Sequence, residues 1–143
     1  MAGLRPQEGD TLSGAILLKA VNTATFQANT DRAANLTLAL YTAPTSLSNT
    51  VTYASFTKVT GNGYVDRTLT DASWSNTNEV FSYAAQTFTA AGGNWTGIYG
   101  YFIHTIKAGT GTNKVMACEQ DPNAPITVNN GSDYIITPQI TFS

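Results

Sequence analysis

The single histidine and the single cysteine are the residues with the most reactive side chains in this chain. His104 and Cys118 lie on the two arms of a predicted hairpin whose loop reads KAGTGTN. A symmetric loop would place His104 opposite Met116. It would also pair Phe102 with Cys118, which makes His104 a diagonal neighbour of the thiol at about 7–8 Å. A thiolate beside an imidazole base is a nucleophilic pair. The hairpin supplies no third group to orient the imidazole, so we interpret both residues as packed or interfacial.

Acidic residues and one glycine-rich loop suggest further chemistry that the spacing does not support. A Ca²⁺ ion needs about six to eight oxygen ligands, and no DxDxDG-type loop is present. Residues 109–114 lack the GK[ST] spacing of a phosphate loop and precede a predicted strand, which favours a hairpin turn. The acids that would have to converge on Ca²⁺ are Glu119, Asp121 and Asp133. The candidates for the paired carboxylates of a glycoside hydrolase are Asp66, Asp71 and Glu79. We therefore predict no catalytic residue, no metal site, no cofactor and no enzyme.

Aromatic residues are the more prominent feature, with two Trp and seven Tyr. Such rings can stack on sugars, as in a carbohydrate-binding module, or they can fill the core and the contacts between subunits. We favour the second interpretation and keep the first as an alternative. The residues predicted to lie at an interface are Trp74, Trp95, Tyr99 and Tyr101.

The composition is poor in charge and rich in Thr, Ser, Asn and Gly. Charged residues make up 11% of the chain, against about 25% in an ordinary soluble domain. Depletion of charge is typical of interface cores, so the composition favours a protein that contacts other proteins. The net charge is −2 and the cations are scattered, which argues against a nucleic-acid partner. The sequence shows neither a signal peptide nor an apolar run of membrane-spanning length, so we expect synthesis in a cytoplasm and no membrane partner.

The stretch NWTGIYGYFIHTI, residues 94–106, is predicted to be the central strand, because both of its faces are largely apolar. Gly97 and Gly100 within it suggest close approach of another backbone or of neighbouring aromatic rings. Residues 35–41 alternate cleanly and predict a half-buried strand. Residues 79–89 and 134–142 are predicted as two further long strands, with Pro138 of the latter at a sheet edge.

The turn signals between these runs predict about eight strands and no helix. This pattern indicates an all-β protein built as an antiparallel β-sandwich, jelly-roll-like or immunoglobulin-like. Residues 1–12 are polar and without periodicity, which predicts an extended N-terminal arm. Residues 13–143 are then a single β-sandwich domain, and a single Cys excludes a disulfide within it.

Three stretches carry a resemblance to a known family. They are GNGY at 61–64, followed by Leu69 and Trp74; YAAQTF at 83–88; and IYGYFI at 98–103. Together they resemble a family of small structural proteins encoded among the virion genes of tailed bacteriophages. The motifs consist of aromatic and glycine positions, so no catalytic residue is carried over.

The resemblance extends over about residues 36–143 and implies a β-sandwich subunit of the virus particle. It implies most directly a capsid decoration, or cement, protein on the capsid surface, with the major capsid protein as partner. Decoration sites of this kind often lie on local three-fold axes, so a homotrimer is expected. A tail or head-fibre component is similar enough to remain an alternative, because fold-level likeness does not assign a role.

Overall fold

The computed structural model describes residues 35–77, 80–105 and 113–141. The predicted arm, residues 1–12, and residues 13–34 of the predicted domain lie outside the described residues. No α-helix occurs within the described ranges, where the only helical segments are two 3-10 turns. The strands, in chain order, are β1 Leu36–Ala43, β2 Thr57–Lys58, β3 Arg67–Leu69, β4 Ser75–Thr77, β5 Val80–Ser82, β6 Gln86–Thr89, β7 Trp95–Ile98, β8 Gly100–Thr105, β9 Val115–Gln120, β10 Ile126–Val128, β11 Asp133–Ile136 and β12 Gln139–Thr141. The pairings between them are antiparallel, which confirms the predicted all-β class.

The largest sheet has the order β2-β1-β8-β9, with β3 also paired to β1. β8 lies in its middle, and all six of its residues are buried. The prediction of a central strand with two buried faces is therefore confirmed for residues 100–105. The first six residues of β1 are buried as well. The prediction that this strand is only half-buried is wrong, because its second face is covered too.

Two apolar clusters cover the two faces of this main sheet. On one face, leucines of β1 and Ile103 of β8 pack against residues of the smaller sheets, including Phe88, Trp95 and Ile140. On the other face, a second cluster forms around Tyr41 and Phe102. Partly buried residues of the chain between β1 and β2 close it from outside; they are Leu47, Tyr53 and Phe56. The result is a layered β-protein whose sheets are not closed into a barrel.

The predicted strand at 94–106 is in fact two strands that belong to different sheets. β7 pairs with β10, whereas β8 pairs with β1 and β9. Tyr99 lies at the junction: its N–H donates to Tyr41 O and its carbonyl accepts from Asp121 N, both at 2.9 Å. A Cβ added at Gly100 would collide with the carbonyl oxygen of Glu119. It would also lie 3.0 Å from the Cα of Gln120. The predicted close approach is confirmed for Gly100, where another backbone makes it, but it is wrong for Gly97, where a Cβ would meet no atom within 4 Å.

The predicted long strands at 79–89 and 134–142 are each broken as well. β6 pairs with β11 and β5 pairs with β12, so the two broken strands form two successive short ladders. The breaks lie opposite each other, and Tyr83 N donates to Pro138 O at 3.0 Å between the two ladders. Pro138 has no N–H to return that bond, which accounts for the interruption. Because of such breaks the described residues contain twelve strands rather than about eight.

Candidate functional site

His104 and Cys118 lie on neighbouring strands, but their surroundings are those of packed residues. Phe102 pairs with Cys118 as predicted, whereas His104 lies opposite Val115 rather than Met116, because the register shifts after Ile103. The loop that was predicted to be symmetric lies almost wholly outside the described residues. Burial raises the pKa of the Cys118 thiol to about 12. A nucleophile requires the thiolate, so the thiol is in the wrong state for a dyad at neutral pH.

The imidazole of His104 is held within the second apolar cluster. Its ring stacks on Phe102 with the centroids 5.3 Å apart and meets the edge of Tyr53 at 4.9 Å. Nδ1 donates to the Thr105 carbonyl at 2.8 Å, while the buried Nε2 has no hydrogen-bond partner among the described residues. Burial lowers the pKa of His104. The ring is therefore a neutral packing group.

Of the three carboxylates that were considered for catalysis, only Asp66 has a described side chain. Asp66 makes a salt bridge to Lys58 with 2.6 Å between Oδ2 and Nζ. The side chain of Asp71 and the whole of Glu79 lie outside the part of the chain that the structure describes. The hypothesis of paired catalytic carboxylates therefore has no geometric support in the described residues.

Two of the three acids considered for Ca²⁺ do converge, at an open cleft of about 300 Å³ between β8, β9 and β11. Glu119 and Asp121 line it together with Tyr101 and Tyr134. Asp133 is directed elsewhere and accepts a hydrogen bond from Thr89 Oγ1 at 2.6 Å. Within the described ranges no group of three or more His, Cys, Asp or Glu is placed to hold a metal ion.

Each acid of the cleft is held by a tyrosine. The hydroxyl of Tyr101 donates to Glu119 Oε2 at 2.8 Å, and the hydroxyl of Tyr134 donates to Asp121 Oδ2 at 2.7 Å. The other oxygen of Asp121 accepts the backbone N–H of Asn123 at 2.8 Å. Burial, together with the bonded carboxylate, raises the pKa of both tyrosines. The hydroxyls therefore stay protonated and act as fixed donors that orient the two carboxylates.

The cleft presents two oriented negative charges beside apolar surface. Pro122, Ile135 and Ile136 complete its apolar lining. Among the described residues, Ile135 is one of two large hydrophobic residues that are strongly exposed, at 61%. An arrangement of this kind can bind a cation with an apolar stem or a group with several hydrogen-bond donors. We take this cleft as the candidate functional site.

The four aromatic residues predicted at an interface have different surroundings. Trp95 is 3% exposed and Tyr101 is 7% exposed, so both contribute mainly to the core of this chain. Trp74 is half-buried and meets Tyr83 edge-on at 5.3 Å, while Tyr99 is half-buried against the second cluster. An interface role stays a prediction for all four, and Trp74 and Tyr99 have more surface to offer a partner.

Only one of the two tyrosine–carboxylate pairs of the cleft could be predicted from the sequence. The predicted register, which pairs Phe102 with Cys118, also pairs their chain neighbours Tyr101 and Glu119. Tyr134 and Asp121 are brought together by the fold of the remaining chain, and no spacing rule connects them. No helix of the described residues is both long and apolar enough to cross a membrane.

Comparison with known proteins found no matching family model, no matching curated protein and no matching solved structure.

Proposed function

We propose that this chain is a structural protein of a tailed-phage virion, a decoration protein that binds and stabilises the capsid shell. Its partners are then the major capsid protein and further copies of itself, in a homotrimer. The stretches GNGY, YAAQTF and IYGYFI motivate the assignment to virion proteins, and the character of the surface supports a role in adhesion.

The observation that carries this proposal is the small number of charged side chains and their bonding within the chain. They are few, and those with described bonds are engaged by the chain itself. Lys58 pairs with Asp66. Arg67 donates to the Thr87 carbonyl at 2.6 and 3.0 Å and lies over the ring of Phe88. The remaining surface costs less free energy to dehydrate than a surface of free lysines and glutamates, which suits repeated contact with a shell.

Uncharged polar strands and isolated apolar residues provide that contact surface. All three residues of β4 are exposed, and β4 is the end strand of its sheet. Val65 is exposed at 63%. Weak contacts of this kind become effective when many copies bind one shell, because multivalency multiplies them.

The proposal is tested by measuring the protein content of purified particles. Virions of the phage that encodes the chain are banded on a density gradient, and the copy number of each protein is determined by mass spectrometry. We expect the chain in the virion band at a copy number comparable with that of the major capsid protein. A copy number comparable with that of tail proteins would assign it to the tail or to a fibre. Its absence from the band would overturn the proposal.

A further inference from the structure

The cleft formed by Tyr101, Tyr134, Glu119 and Asp121 carries negative charge that the described residues do not neutralise. Each carboxylate accepts hydrogen bonds from a tyrosine hydroxyl, and Asp121 also accepts one from a backbone N–H. Neither is paired with a lysine or arginine of the described ranges. A partner that covers these two carboxylates without bringing positive charge would bury them uncompensated, at a large cost in free energy.

The shape and lining of the cleft select among possible cations. Its volume of about 300 Å³ exceeds what a bare metal ion would fill. Pro122 and Ile135 are exposed and offer apolar surface for a methylene stem, and the half-buried ring of Tyr134 lies beside the carboxylates. Arginine combines an apolar stem with a planar group of five N–H donors that bonds carboxylates in a fork and stacks on rings. Lysine carries a point charge and bridges two carboxylates less well.

A neutral sugar fits the same cleft less well. Tyr101 is only 7% exposed, so it offers little ring face for stacking. The hydroxyls of both tyrosines are already bonded to the carboxylates. A sugar would also leave both negative charges without a counterion.

We infer that this cleft binds the guanidinium group of an arginine side chain presented by the partner protein. The carboxylates of Glu119 and Asp121 accept its N–H groups, and the tyrosine hydroxyls hold both carboxylates in place. Ile135, exposed at 61% at the edge of the cleft, then packs against the surface around that arginine. This interaction rests on the proposed function for the identity of the partner, a virion protein.

The test uses the full chain and a capped amino acid. N-acetyl-arginine methylamide is titrated into ¹⁵N-labelled protein, with the citrulline analogue as a matched ligand of the same shape without charge. We expect saturable shifts of the amide signals of residues 119–121, 134–137 and 139 with arginine, and at least tenfold weaker binding of citrulline. Equal binding of both ligands, or no shift with arginine, would overturn the inference.

Matched variants assign the binding to the two carboxylates. Glu119→Gln and Asp121→Asn keep an acceptor oxygen for each tyrosine and remove the charge, and each is expected to weaken arginine binding at least threefold. Asp133→Asn is the control, because Asp133 is bonded to a hydroxyl in the same way but lies outside the cleft. If a cleft variant unfolds, the citrulline comparison on the unaltered chain still decides. Variants that bind arginine as tightly as Asp133→Asn would contradict the assignment.

Two further titrations separate the competing ligands. Shifts at the same residues with CaCl₂ or with glucose, in the absence of arginine binding, would replace the inference with a metal or sugar site. Arginine binding by a chain that is missing from virions would count against the proposed function alone. A chain present in virions that does not bind arginine would count against the inference alone.

Discussion

His104 is buried at 3% exposure in an apolar cluster, so its protonation couples folding to pH. Desolvation lowers its pKa, while the neighbouring Asp66 raises it and Lys58 lowers it. The unfolded chain takes up a proton near pH 6.5, and the folded chain does so only at lower pH. Stability is therefore present above about pH 6.5 and decreases as the pH falls towards the pKa of the folded state.

Urea denaturation between pH 7.5 and 5.5 measures this effect. We expect the free energy of unfolding to fall on acidification by up to about 1.4 kcal/mol per pH unit. Because the chain has a single His, His104→Gln should remove most of the slope in this range. A slope that persists in the variant, or stability that rises on acidification, would contradict the burial of a neutral imidazole.

At the scale of the strands, Trp95 joins β7 to the turn at residues 61–63. Its indole N–H donates to Gly61 O at 3.3 Å and to Asn62 O at 3.0 Å, and its ring meets the edge of Tyr64 at 5.5 Å. Trp95→Ala is expected to lower the free energy of unfolding by about 3–5 kcal/mol, because it leaves a cavity and removes the indole N–H that bonds to these two carbonyls.

Trp74→Ala is the matched comparison, since Trp74 is only half-buried. We expect a smaller loss of stability and, if the ring contacts the shell, weaker binding to particles that lack the chain. Urea denaturation measures the first effect and co-sedimentation the second. A Trp74 variant as unstable as the Trp95 variant would place Trp74 in the core, and a Trp95 variant of full stability would refute the packing described here.

The strands were predictable where a local pattern carries the information. Residues 36–41 read LTLALY, and the alternation alone indicates a strand. The burial of both faces was not predictable for β1, because the segment that covers Tyr41 comes from the loop region around Phe56. The alternation in residues 79–89 continues through Ala84 and Ala85, although the ladder is interrupted there.

The cleft, too, was predictable only where a local pattern determines the contact. The pairing of Tyr101 with Glu119 follows from the register of one hairpin, which a sequence can indicate. The bond from Tyr134 to Asp121 depends on how β11 packs beside the end of β9, a contact between layers. The segment Tyr53–Ser55 forms a 3-10 turn over the sheet. Here packing on the face of Phe102 and His104 overrides the local preference for an extended chain.

At the scale of the whole molecule, the described chain is a sheet with a packed layer on each face and a surface with few charges, of which those of Lys58, Asp66 and Arg67 are engaged by the chain itself. Neither feature requires a catalytic centre. Both suit a subunit that is held in place by many similar neighbours, where modest contacts add up over the shell. The central claim is therefore about location.

Immunogold labelling of intact virions measures that location most directly. Antibodies are raised against the purified chain and applied to particles of the phage that, under the proposed function, encodes it, with particles from a deletion strain as the control. The proposed function predicts gold distributed over the whole head and none on the control particles. Label restricted to the tail or to fibres, or the same label on the deletion strain, would contradict it.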